Sequence, residues 1–217
     1  MMMNTAREEM LHTVRVALER MADSGVAAIP ATARIAPRAA ADVNAELTAF
    51  FSEIEKLGGT TKRLENKADL EAALRELVAA EAVKKATAWQ TAELKEWGVE
   101  GLLEAIGVEV VSPYASNREV AECDLGVTGA DFALPETGTL GLRASIEQPR
   151  TVSLLPRVHL ALMRTACLRA DLHQVFEEAG RDGYLVFITG PSRTADIELT
   201  VTIGVHGPKR LCVFLLP

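Results

Sequence analysis

Three short apolar runs do most to limit the folds open to this chain: Val158–Met163, Tyr184–Ile188 and Leu211–Leu216. Each is too short for a helix and lacks polar alternation. Such runs suit strands covered on both faces, as in a parallel sheet between helices. Ahead of them the apolar spacing changes to threes and fours. Leu47, Phe50, Phe51, Ile54 and Leu57 form a helical stripe ended by Gly58-Gly59, residues able to take a left-handed cap. A short strand near Thr60–Leu64 follows, then a helix through Leu70, Leu74, Leu77 and Val78. A further helix, through Leu94, Trp97, Leu102, Leu103 and Ile106, feeds the run Val108–Val111. Helices and strands in alternation predict an α/β fold, a parallel sheet flanked by helices. The stretch LGVTGADFALPETGTLGLRAS at 125–145 breaks that rhythm with several glycines and no helical period. It reads as a strand, a long turn and a returning strand, a β-hairpin-like insertion.

The first 42 residues stand apart. Thr5-Ala6-Arg7-Glu8 has capping-box spacing, and Leu11, Val14, Leu18 and Met21 recur at helical intervals behind it. From Gly25 an Ala/Pro-rich stretch runs through Pro30 and Pro37, a connector by composition. The expected organisation is a helix and linker over 1–42 and one domain over 43–217. A terminal helix of this kind stays ordered when docked on its own core or on another subunit.

Net charge is −7 across 217 residues, which argues against a nucleic-acid partner, since that requires a basic stripe. No apolar run approaches a membrane span, and the start, MMMNTAREEM, lacks the apolar core of a signal peptide. The expected location is the cytoplasm. Cys123, Cys167 and Cys212 are odd in number and far apart, with no C-x-x-C pair. They read as buried reduced thiols, and no cofactor is expected in this chain.

In open α/β sheets ligands bind beyond the carboxyl ends of strands, so the glycine-containing loops are where chemistry is sought. Four stand out: Thr128-Gly129-Ala130-Asp131, Pro135-Glu136-Thr137-Gly138-Thr139, Thr189-Gly190-Pro191-Ser192-Arg193-Thr194 and Gly204-Val205-His206-Gly207-Pro208. Glu136 and Asp131 are the candidate catalytic carboxylates, able to act as base or nucleophile where surroundings tune them. The candidate ligand-binding set is Thr128, Gly129, Thr137, Gly138, Thr139, Thr189, Gly190, Ser192, Arg193, Thr194 and His206, with a small anion as the expected ligand. Arg193 is the residue that local structure does not require, which marks it as a bidentate clamp for a carboxylate or phosphate. Thr194 is a plausible helix N-cap, with Asp196 and Glu198 in the first turn behind it. The same stretch, Asp196–Ile203, also alternates as a strand would, and the residues alone leave both readings open. His159, inside an apolar run, reads as a core histidine; His12 and His173 lie on helix surfaces. The sequence has no H-E-x-x-H, Walker A, G-x-S-x-G or G-x-G-x-x-G motif.

GVTGADFALPETGTLGL, TVSLLPRVHLAL and FITGPSRTADIELTVTIGVHGPKRLCVFLL, in that order, resemble the LUD-domain family from about Leu47 to Leu216. ETGT and TGPSRTADIE are the most specific pieces. The resemblance implies a Rossmann-like parallel sheet of the NagB/RpiA/CoA-transferase kind and a helix after Thr194. Functionally it implies one component of a three-part bacterial system that oxidises L-lactate to pyruvate. An iron–sulfur LUD protein and a further oxidoreductase subunit would be its partners. This chain lacks cluster cysteines and is similar to the cluster-free component. The alternatives are a stand-alone enzyme on a small phosphorylated or carboxylated metabolite, or a non-catalytic assembly subunit, with a homo-oligomer in any case open. Gly129-Ala130-Asp131 is also similar to an acidic turn of ribose-5-phosphate isomerases, but the glycine-rich lysine segment that should follow is missing.

Overall fold

The computed structural model describes residues 3–23, 37–180, 183–194 and 202–217. Contacts divide the chain into two units, Met1–Ala36 and Pro37–Pro217. The first contains helix α1 (Met3–Asp23), which begins two residues before the capping-box threonine. Its apolar stripe, including Leu11, Val14 and Leu18, is exposed.

The second unit opens with α2 (Val43–Lys56), capped by the Asp42 carboxylate, and continues into β1 (Thr60–Arg63). Next come α3 (Lys67–Ala80), β2 (Lys85–Ala88), α4 (Ala92–Trp97), α5 (Val99–Ala105), β3 (Glu109–Val111), α6 (Asn117–Ala121) and β4 (Leu125–Gly129). The chain then forms β5 (Phe132–Leu134), β6 (Thr139–Ala144), α7 (Thr151–Leu154), β7 (Val158–Met163), α8 (Leu172–Ala179) and β8 (Tyr184–Thr189). It ends in β9 (Arg193–Thr194), β10 (Thr202–Ile203) and β11 (Arg210–Leu215).

Six strands form a wholly parallel sheet in the order β1-β11-β7-β4-β2-β3. The right-handed crossover rule puts α3, α4 and α5 on one face and α6 and α7 on the other. The helix contacts agree, α3 touching α5 and α6 touching α7. Burial follows the period expected of central strands: every residue of β4 and β7 is buried, and so is β11 after its first residue. Gly126 has a packing reason, since a Cβ there would fall 1.9 Å from the Val152 carbonyl of α7.

Two runs behave differently from the sequence reading. Tyr184–Ile188 is not a core strand of the parallel sheet. It is β8, the edge of a separate three-stranded antiparallel sheet β5-β6-β8, and several of its residues are exposed. One face of that sheet joins the main core through Ala133, Leu140 and Leu142. The other forms a small second core with α8 through Phe132, Leu134, Val175 and Ala179. The helix expected through Leu94 and Ile106 is two helices, because Gly98 takes a left-handed conformation (φ +68°) that ends α4 and starts α5. The strand β2 was not anticipated, since KATA carries no β-branched residue but Thr87. The hairpin over 125–145 is present, with β4 in the parallel sheet and β5–β6 pairing beside it. Thr194 pairs with Thr202 across β9–β10, while the expected helix with Asp196 and Glu198 lies outside the described residues. Among the described residues no helix is long and apolar enough to cross a membrane.

Candidate functional site

Apart from Thr128 and His206, the sequence-selected residues gather in two places. The first is the carboxyl end of the parallel sheet. After β2 the chain turns outward to β3, and after β4 it turns the other way to β7, so the switch point where sheets of this kind form a ligand crevice lies between those strand ends. Trp89, buried just past β2, donates from Nε1 to the Pro149 carbonyl (3.0 Å). Thr91 caps α4, which sets Glu93 in its first turn, over the end of β4. Glu93 Oε2 lies near the Gly129 backbone, at van der Waals distance (3.9 Å) from where a Cβ would stand.

Arg164, the first residue after β7, donates from Nε to Glu93 Oε1 (2.6 Å) and from Nη1 to the Pro217 carbonyl (2.7 Å). Its Nη2 faces Glu96 at 3.9 Å, beyond hydrogen-bond reach. Asp131, two residues past the end of β4, accepts the Arg143 backbone N–H at its Oδ2 (2.7 Å). Burial raises the Asp131 pKa, against the lowering influence of the Arg143 N–H and charge, and the negative charge of Glu93 adds to the rise. Cys167 donates to the Ala130 carbonyl at 2.9 Å. Its thiol is pushed up by burial, with Glu93 and Asp131 adding to the rise. The arrangement sets a carboxyl whose pKa burial raises near one guanidinium nitrogen, Arg164 Nη2, that makes no hydrogen bond among the described residues.

The second place is a threonine-lined corner where the β5–β6 turn meets the end of β8. Hydroxyls of Thr137 and Thr139 lie 2.7 Å apart, and Thr139 and Thr189 another 2.7 Å. Gly138 (φ +62°) packs against α2 so tightly that a Cβ would lie 2.8 Å from the Ile54 nitrogen. Gly190 (φ +78°) likewise abuts Leu57. Arg193 donates to the Leu57 carbonyl, the C-cap of α2, so local structure does use it, contrary to the sequence reading. Ser192 is stitched to the loop before β11, its N–H donating to Pro208 and its carbonyl accepting from Gly204 (both 2.9 Å). Glu136 is exposed in the turn, within the field of Arg38.

Thr128 and His206 belong to neither group. Thr128 is fully buried, its hydroxyl sharing a 2.8 Å hydrogen bond with His159 Nε2 inside the core. His206 lines a 280 Å³ cleft with Leu154, Leu155, Arg157 and Lys209, at the amino ends of β7 and β11. The structure therefore brings Asp131 and Gly129 together with Glu93, Arg164 and Cys167, and leaves Glu136 with the threonine corner. Sequence reasoning missed Glu93 and Arg164. Arg164 was within reach, since it follows directly on a recognised core run; Glu93 was hidden because β2 was. Among the described residues no group of three or more His, Cys, Asp or Glu could hold a metal ion.

Comparisons with known proteins agree with this architecture. The LUD-domain family profile matches residues 47–216. Lactate utilization protein C of Shouchella clausii is 32% identical over 157 residues, 68% of this chain and 69% of its own length. Its namesake from Halalkalibacterium halodurans is 31% identical over 158 residues, 68% and 69% of the two chains. A solved DUF162-family protein from Deinococcus radiodurans superposes with a TM-score of 0.62 at 21% identity, covering 82% of this chain and 100% of that one, a likeness of fold. The chain belongs to the LUD-domain family.

Proposed function

We propose that this chain is a subunit of a bacterial lactate-utilization system that oxidises L-lactate to pyruvate. The crevice at the carboxyl end of the sheet is then the place where the 2-hydroxy acid binds. The observation that carries this reading is the alignment, over two thirds of both lengths, with proteins named Lactate utilization protein C. Oxidation of a 2-hydroxy acid to a 2-oxo acid removes two electrons and two protons. In this reading Asp131 accepts the hydroxyl proton, and Arg164 Nη2 holds the substrate carboxylate. The two electrons and the proton of the C2–H bond leave together, as a hydride, to a two-electron acceptor held by the further oxidoreductase subunit. The iron–sulfur partner carries the electrons onward one at a time. The dispersal of Cys123, Cys167 and Cys212 supports putting the cluster in that partner. A second reading, a non-catalytic assembly subunit, draws support from Arg164, whose other donors are already held by Glu93 and Pro217.

One complementation experiment separates these. A strain lacking the gene should fail to grow on L-lactate as sole carbon source and recover with the wild-type copy; normal growth of the deletion strain removes the lactate role. Asp131→Asn and Arg164→Gln copies should fail to restore growth while folding normally. Full restoration by both would leave the assembly reading and discard the crevice as a catalytic site.

A further inference from the structure

We infer that the free edge of β8, with the adjoining face of α8, is the contact through which two copies of this chain pair. The sheet edges of the domain are not equally protected. The edge strand β1 carries Lys62 and Arg63, and the edge strand β3 starts at Glu109. The outer side of β5 is covered by a bridge from Ala133 to Leu168. Charges and coverings of this kind stop an edge from recruiting another chain. The edge of β8 has neither: Tyr-Leu-Val-Phe-Ile-Thr contains no charge, proline or glycine, and among the described residues only β6 pairs with it.

Apolar side chains extend that edge. Phe187 meets Phe176 of α8 edge to face, with centroids 6.0 Å apart. On the α8 side Phe176 is 56% exposed, Leu172 45% and Phe187 38%, and Tyr184, 58% exposed, flanks the same edge from the opposite face of β8. At about 200 Å² for an aromatic side chain, they offer on the order of 400 Å² per copy. Two such patches together with the strand backbones reach about the 1,000 Å² that a specific interface needs.

The chemistry of the edge fits a second copy. In an antiparallel self-pairing the two-fold axis keeps each face on its own side, so a middle residue, Phe187, lies opposite its counterpart as an aromatic cross-strand pair. An uncharged strand meets no like charge in doing so. The ends complement each other as well. Arg150, stacked on Tyr184 with its guanidinium carbon 4.1 Å from the ring centroid, marks the start of β8. Exposed Glu136, in the turn before β6, marks the other end, and antiparallel pairing brings the two ends together. The two three-stranded sheets would join into one of six strands, with both α8 helices on the same face.

Sedimentation equilibrium of the full chain between 1 and 100 µM, all concentrations chosen for the assay, tests this. A dimer is expected for the wild type, and at least a tenfold weakening for Phe187→Arg, which sets two like charges on the axis. Phe176→Glu provides the same readout from α8, with circular dichroism melting as the check that each variant is folded. Phe187→Cys should form a disulfide-linked dimer on mild oxidation. A wild-type monomer throughout the range overturns the inference. So does a dimer that survives both charged substitutions with unchanged affinity.

Discussion

At the scale of single residues, Thr128 and His159 form a fully buried polar pair. Burial pushes the His159 pKa down to about 4, so the imidazole is neutral when folded. The unfolded chain takes up a proton near 6.5 while the folded one does not, so stability is full above that value and falls as pH drops toward 4. The loss from this group should be on the order of 3 kcal/mol. Urea midpoints measured from pH 7 to pH 4.5 should show the decline, and His159→Gln should flatten it. Gly138 makes a second residue-scale prediction. Its positive φ and its contact with the α2 backbone leave no space for a methyl group. Gly138→Ala should cost about 2 kcal/mol or more in chemical denaturation, whatever its effect on function.

Between elements, Arg193 ties the corner after β8 to the last turn of α2, placing a cation where the helix dipole is negative. Arg193→Ala should lower stability by about 0.5–1 kcal/mol, and Arg193→Lys by less. A growth defect on lactate far larger in Arg193→Lys than this stability change would show that the guanidinium also touches a ligand. The four loops flagged in the sequence share one composition, glycine with hydroxyl or charged residues, yet they serve different purposes. Glycines 138 and 190 let the hairpin and the end of β8 close on α2, whereas Gly129 has room for a side chain. Composition of a loop does not reveal which helix it meets. For that reason Asp131 was separable from Glu136 only once the hairpin had been seen to carry the latter away from the sheet end.

For the whole molecule, the described core draws on no residue before Leu47, which predicts that removal of residues 1–36 leaves the melting temperature of the domain essentially unchanged. Removal of four residues more has a different consequence. Arg38 holds the buried carboxylate of Glu46 at 2.6 Å and donates to Ala170 and Asp171 across the domain. Deletion of residues 1–40 should therefore cost about 2–3 kcal/mol, because the Glu46 charge stays buried without its partner. Differential scanning calorimetry of the two truncations compares them directly.

The sequence by itself determined the α/β class, the identities of β1, β7 and β11, most helices and the family, because these depend on local apolar period and on motifs read in order. Tertiary structure alone decided that Tyr184–Ile188 serves an antiparallel edge, that Gly98 divides a helix, and that Glu93 and Arg164 join Asp131. Those outcomes depend on strand order and on contacts as far as 71 residues apart, as between Arg164 and Glu93. An apolar run states that a strand will be covered. Which neighbour covers it is settled only when the sheet is assembled, since the free energy of burial is indifferent to the direction of the strand that provides it.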